Sequence, residues 1–169
     1  MNYRLRPFRD DDAVALSRHA NNPNIARFMT NGFPHPYTVE HARNFIEYAN
    51  RDQPVHIFAI EVNGEVAGGI GIHPQSDIHV KNAELGYWLS EGHWGKGIIS
   101  AAIKEMVDFA FSTYDINRVF ARPFSNNTAS QRVLEKAGFE LEARLNRTIF
   151  KNGENLDELI FATRKTNNI

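Results

Sequence analysis

The period of hydrophobic and polar positions changes several times along the chain, and each change marks an element. Tyr3-Arg4-Leu5-Arg6 alternates and stops at Pro7, which predicts a short first strand. Asp10 is placed to cap a helix running to about Ala20. Asp11 and Asp12 suit its positive end, and Pro23 lies just past its close. Phe33-Pro34-His35-Pro36-Tyr37 reads as extended chain, because each proline disfavours helix at the residue before it. Thr38 then caps a second helix, where Val39, Ala42, Ile46 and Ala49 recur at helical steps and Glu40, Arg43, Glu47 and Asn50 fill the other faces.

From residue 55 the pattern becomes that of strands. Residues 55–62 and 65–72 are two runs joined by Asn63-Gly64, a strong hairpin signal. Residues 83–90 form a third run. A helical stripe of Ile99, Ala102, Ile103, Met106 and Ala110 follows, on a helix from about Gly97 to Phe111. Residues 118–122 read as a strand stopped by Pro123. Residues 127–137 read as a helix closed by Gly138, which can take the left-handed turn. Two last strands, 139–149 and 156–163, meet around Asn152-Gly153. The order β-α-α-β-β-β-α-β-α-β-β is a mixed α/β fold with antiparallel hairpins, not a regular doubly wound one.

Composition narrows the functions open to this fold. The chain has 169 residues and a formal charge of −1, which suits one domain and argues against a dedicated nucleic-acid binder. It contains no cysteine, which removes disulfide frameworks, iron–sulfur clusters and thiol nucleophiles. None of the seven histidines forms a His-x-x-x-His pair, so no metal site is expected. Neither a leader nor a membrane-spanning run is visible, and a cytoplasmic location without membrane attachment is the expectation.

The segment from Glu84 to Gly97 carries the chemistry. It runs from a strand into a helix through a loop with glycines at 92, 95 and 97 and a lysine at 96. Unpaired N–H groups at the start of such a helix, with the positive end of its dipole, suit a phosphate or pyrophosphate. The loop is neither a P-loop nor the dinucleotide fingerprint, since Ser100 stands where a third glycine would be needed. In a second segment, Asn127 is a candidate helix cap and Ser130 lies three residues on. His93, beside the loop, could contact a phosphate but is expected rather to be a solvated loop residue.

Taken in order, Leu85-Gly86-Tyr87-Trp88-Leu89, Trp94-Gly95-Lys96-Gly97, Asn127-Thr128-Ala129-Ser130 and Glu135-Lys136-Ala137-Gly138-Phe139 resemble the GNAT superfamily of acetyl-CoA-dependent N-acetyltransferases. The likeness is to the branch that holds the ribosomal-protein N-terminal acetyltransferases, and it covers nearly the whole chain. It implies one domain over residues 1–169, with a mostly antiparallel seven-stranded sheet flanked by about four helices. It implies acetyl-CoA as co-substrate, with Gly95, Lys96, Gly97, Ile98, Ile99 and Ser100 around its pyrophosphate. The backbone of Trp88, Leu89 and Ser90 would pair with the pantetheine arm, Asn127 would bond that arm, and Ser130 would sit near the sulfur. The chain departs from the superfamily pattern at Trp94 and at Ile99, which is expected to point away from the phosphates toward the sheet. It departs also at Leu134, where many members carry the tyrosine that protonates the leaving thiolate.

An attacking amine must first lose a proton, and Glu84, on the same strand face as Gly86 and Trp88, is the candidate base. A backbone N–H at Tyr87 or Trp88 would polarise the thioester oxygen, and Ser130 would meet the departing thiolate. Phe28, Phe33, Tyr37 and Tyr87 are candidates for acceptor contacts. Without a cysteine, direct transfer in a ternary complex is expected. The expected partners are acetyl-CoA and a primary amine, with the protein a monomer or homodimer. The competing reading is a non-catalytic acyl-CoA-binding regulatory module.

Overall fold

The computed structural model describes residues 2–166; the outermost positions of the expected domain, 1 and 167–169, lie outside the described residues. The elements are β1 (Tyr3–Arg6), α1 (Ala13–Ala20), α2 (Pro23–Ala26), α3 (Val39–Ala49), β2 (Ile57–Val62), β3 (Glu65–Pro74), β4 (Asn82–Leu89), α4 (Ile98–Thr113), β5 (Arg118–Ala121), α5 (Thr128–Lys136), β6 (Glu140–Lys151) and β7 (Glu154–Arg164). The strands form one seven-stranded sheet in the order β1-β2-β3-β4-β5-β7-β6. β4 and β5 are parallel; β1 with β2, β2 with β3, β5 with β7 and β6 with β7 are antiparallel.

The expected order of strands holds, with two local differences near the N-terminus. Among the described residues there are five α-helices where about four were expected: Pro23 lies just past α1, as expected, and also opens the short helix α2. Proline suits a first helical turn, where its missing N–H costs nothing, and the Asn22 side chain caps it by accepting from the Asn24 amide at 2.8 Å. The Asp10 carboxylate is not the cap of α1. Residues Asp10–Asp12 form a 3-10 turn, and it is Asp12 whose carboxylate folds back on the Arg9 amide at 2.8 Å.

Both hairpins form as the Asn-Gly pairs predict. Asn63 and Gly64 have φ of 53° and 89°, and Asn152 and Gly153 have 51° and 82°, the left-handed pairs that match strand twist. Gly138 likewise takes φ of 89° after α5, and the Phe139 amide closes on the Leu134 carbonyl at 3.0 Å.

The chain divides into two compact units, Met1–Gly71 with Tyr87–Ile98, and Ile72–Gly86 with Ile99–Ile169. In the first, Phe8, Leu16, Tyr37, Ile46 and Trp88 share a buried cluster. Gly68 lets the β3 backbone approach β4, since a Cβ there would stand 2.4 Å from the Trp88 carbonyl oxygen. Gly69 lies against the Trp88 indole for the same reason, its Cβ position being 3.3 Å from Nε1. The unit also buries charge. Arg6 donates two bonds of 2.7 Å to Asp12 and one of 2.5 Å to Glu61, and Arg4 adds one of 2.7 Å to Glu61. Each buried carboxylate is thus met by guanidinium donors, which is what makes its burial tolerable. In the second unit Ile103, Met106, Val119 and Leu134 are fully buried.

Hydrogen bonds from Arg4 and Arg6 hold the Glu61 carboxyl down at about 2, against an ordinary value near 4.5. A carboxylate lowered in this way stabilises the fold above its unfolded value and loses that contribution as the pH falls toward its folded one. Urea midpoints should therefore drop between about pH 4.5 and 2 in the wild type. Glu61→Gln should be less stable at pH 7 with a shallower acid decline; an unchanged decline would show that this network does not set acid stability.

Candidate active site

β4 leads directly into the glycine loop. The Ser90 amide donates to the Ala67 carbonyl at 2.8 Å, and the Ser90 carbonyl accepts from the His93 amide at 3.0 Å, which closes a 3-10 turn at Glu91–His93. The Trp94 indole Nε1 reaches back to the Leu89 carbonyl at 2.7 Å, and Lys96 Nζ bonds the Gly92 carbonyl at 2.6 Å. The Glu91 carboxylate accepts from Asn22 at 2.7 Å and from Asn24 at 3.1 Å. Gly95 and Gly97 have φ of 71° and 78°, and a Cβ at either would meet nothing within 4 Å. Backbone conformation, not space, therefore demands glycine at both positions. Open surroundings and a helix start at Ile98 make this loop fit an anionic group.

The structure bears on three expectations here. Ser90 has both backbone groups engaged and Leu89 has its carbonyl engaged. By strand alternation from the Ser90–Ala67 pair, the Trp88 backbone also turns to β3, so Tyr87 and Leu89 are the residues whose amides point to the other edge. Ile98, four residues before Ala102, is the buried start of the α4 stripe at 4% exposure, while Ile99 is half-buried. His93 is not a solvated loop residue. Its Nδ1 is buried without a hydrogen-bond partner among the described residues, and its ring centroid lies 6.5 Å from that of His19. Burial, then Lys96, pushes its proton affinity down.

In the second unit, Glu84 is half-buried on β4 and pairs with Phe120, the last rung of the ladder with β5. Burial is the largest influence on its carboxyl and raises its pKa; nearby Arg122 opposes this and Glu158 adds to it. Arg122 grips Glu158 with two bonds of 2.9 Å. The pair was not visible in the sequence, because it depends on β5 lying beside β7. The Asn127 Oδ1 caps α5 by accepting from the Ser130 amide at 3.1 Å, and Ser130 itself is half-buried. Leu134 is wholly buried, so no acid group stands there.

The residues expected to meet the acceptor divide. Tyr37 is core, 6% exposed, with its hydroxyl pushed up to about 12 by burial. Phe33 packs against it at 5.0 Å and against Trp88 at 5.7 Å. Phe28 is half-buried under Arg27, whose guanidinium sits 4.7 Å from the ring centroid, and Tyr87 is half-buried. Among the described residues no group of three or more His, Asp or Glu side chains is placed to hold a metal ion, and no helix is long and apolar enough to cross a membrane.

Comparison with known proteins decides the family. The sequence profile of the acetyltransferase (GNAT) domain matches residues 2–140. The chain belongs to the GNAT acetyltransferase family. The uncharacterized N-acetyltransferase YoaA of Bacillus subtilis (strain 168) is 31% identical over 166 residues, covering 95% of this chain and 92% of that one. The spermidine N(1)-acetyltransferase of Escherichia coli (strain K12) is 26% identical, covering 89% and 80%. The structure of Mycobacterium smegmatis RimJ in complex with CoA-disulfide superposes with a TM-score of 0.84 at 27% identity, covering 96% of this chain and 81% of that one. The chain is thus an acyl-CoA-dependent N-acetyltransferase with acetyl-CoA as co-substrate, and the catalytic reading stands over that of a regulatory acyl-CoA-binding module.

Gly97→Ala should cost about 1–2 kcal/mol of stability, because the left-handed conformation opposes a Cβ. It should also weaken acetyl-CoA binding. Gly92→Ala has equal space and no left-handed φ, and should stay within about 0.5 kcal/mol of wild type. Calorimetric titration and urea unfolding of both variants check this; equal effects would mean that φ is not what the loop needs.

Proposed function

We propose that the chain transfers the acetyl group of acetyl-CoA directly to a primary amine within one ternary complex, residues 1–169 acting as a single domain in the cytoplasm, as a monomer or homodimer. The observation that carries this is one strand, β4, that bears a half-buried glutamate and ends in a left-handed glycine loop at a helix start. The acceptor is the α-amine of a protein or peptide, or the amine of a small molecule; the relative named for spermidine supports the second class.

The thioester supplies the acyl carbon to be attacked. Backbone amides over Gly95, Lys96, Gly97, Ile98, Ile99 and Ser100 face the pyrophosphate. The left-handed glycines keep those amides out of intrahelical bonds. The edge of β4 at Tyr87 and Leu89 takes the pantetheine arm, and an amide there polarises the thioester oxygen. The Asn127 Oδ1 is committed to its cap, so its Nδ2 is the group that bonds the arm. The Ser130 hydroxyl hydrogen-bonds the departing thiolate and gives it a proton.

The Glu84 carboxylate takes a proton from the acceptor ammonium. Burial raises its affinity for that proton above that of an ordinary carboxylate. Phe28 and Phe33 border the acceptor's approach, with Tyr37 holding Phe33 from behind.

Thiol release should require both acetyl-CoA and an amine, with intersecting double-reciprocal lines. Parallel lines and a trapped acetyl-enzyme would overturn direct transfer. Ser130→Ala and Glu84→Gln should each lower kcat by about 10²-fold or more, a typical contribution of a positioned acid or base. Acetyl-CoA affinity should change little in both. The Glu84→Gln loss should be greatest at the acid end of the profile; an unchanged kcat in either variant would remove that residue from the mechanism.

A further inference from the structure

The chemistry of amine transfer asks for more than one proton acceptor. A primary ammonium carries three N–H groups; one proton must leave, and the N–H bonds that remain need acceptors if the lone pair is to be aimed. Glu84 supplies one acceptor. The register of β3 on β4 places a second group beside it.

The Gln75 amide donates to the Asn82 carbonyl at 2.9 Å, so these residues face each other across the antiparallel pair. Two residues along each strand, His73 faces Glu84. Directly opposed residues of such a pair have Cβ atoms about 4.5–5.5 Å apart and project to one side of the sheet. The imidazole lies on that side: its Nε2 is 3.9 Å from where a Cβ on Gly86 would stand, and Gly86 shares the Glu84 face of β4. His73, like Glu84, is half-buried. Gly86 leaves open the space that a side chain would otherwise fill between them and the end of β4.

We propose that His73 and Glu84 form a cross-strand pair that receives the acceptor amine, the neutral imidazole accepting an N–H hydrogen bond while the Glu84 carboxylate takes the proton. The inference rests on the reading of Glu84 as the base. The proton moves from the ammonium nitrogen to a Glu84 oxygen and the freed lone pair attacks the acyl carbon; as the C–S bond breaks, the adduct nitrogen gives its second proton to solvent and the leaving sulfur takes a proton from Ser130, which regains one from solvent. Protonation of His73 removes its acceptor lone pair and sets a positive charge against the ammonium. Activity therefore falls where the imidazole becomes charged. Arg122, just past β5, and Glu158 on β7 are charged groups that bear on Glu84.

The test is the pH profile of kcat/KM for the amine, with n-propylamine as the minimal acceptor, in wild type, His73→Gln, His73→Asn and Glu84→Gln. Wild type should show an acid limb, with activity falling as the pH is lowered. His73→Gln should lose that limb and about tenfold of kcat/KM at pH 8, the worth of one hydrogen bond of about 1.4 kcal/mol. KM for acetyl-CoA should stay within about twofold. His73→Asn, which keeps a short polar group, should recover part of the loss. A His73→Gln profile that superposes on wild type would overturn the inference and leave Glu84 standing if Glu84→Gln is inactive. An active Glu84→Gln beside an inactive His73→Gln would overturn the Glu84 reading instead. If the substitutions do not fold, the wild-type His73 imidazole resonances followed by NMR decide: their titration should move to lower pH when n-propylamine binds, and no movement would overturn the proposal.

Discussion

At Gly68 the backbones of β3 and β4 come into contact, with no room for even a methyl group. The geometry of the first unit rests on this approach. It seats the Trp88 indole against Gly69 and Phe8, and it brings the Ser90 amide onto the Ala67 carbonyl, which fixes where β4 stops. Trp94 then ties the loop back to Leu89, and the chain must turn through left-handed φ at Gly95 and Gly97 before α4 can start. The first-turn amides of α4 have no partner within the helix. An anionic cofactor can use them without any excess of basic residues, which agrees with a net charge of −1.

Two kinds of buried carboxylate separate structure from chemistry. Glu61 and Asp12 are wrapped by Arg4 and Arg6, and their proton affinity falls below the ordinary value. They are committed to the fold. Glu84 is half-buried without a guanidinium of its own, because Arg122 is gripped by Glu158. Burial therefore dominates, and its proton affinity rises. A carboxylate of the first kind cannot act as a base for an ammonium; one of the second kind can.

Much of the fold was legible because its signals are local. Asn63-Gly64, Asn152-Gly153, Gly138 and the Thr38 cap each specify a backbone conformation within a few residues, and each appears as expected. Pro23 lies past α1 as expected, but the same residue also begins α2, which the Asn22 cap decides. The glycine loop and the Asn127–Ser130 segment stood out only through their family likeness, since cap chemistry alone makes Asn127 and Ser130 ordinary; their roles toward the cofactor belong to the proposal. What could not be read were relations between distant strands. The Arg122–Glu158 pair, the facing of His73 and Glu84, and the burial of Tyr37 all depend on register and packing, which no local pattern encodes. The backbone commitments of Ser90 and Leu89 were hidden for the same reason: they are made by Ala67, His93 and Trp94.

Family membership explains the acyl donor, and the roles proposed for Glu84 and Ser130 would let this chain use it without a thiol. The claim at the centre is that the left-handed loop presents its amides to the cofactor phosphates. Titration of ¹⁵N-labelled protein with CoA, read at individual backbone amides, tests this most directly. The Gly95, Gly97 and Ile98 amides should show the largest shifts, with Leu89 following as the pantetheine arm settles on β4. Binding that leaves those amides unmoved, with its shifts confined to other elements, would contradict the account.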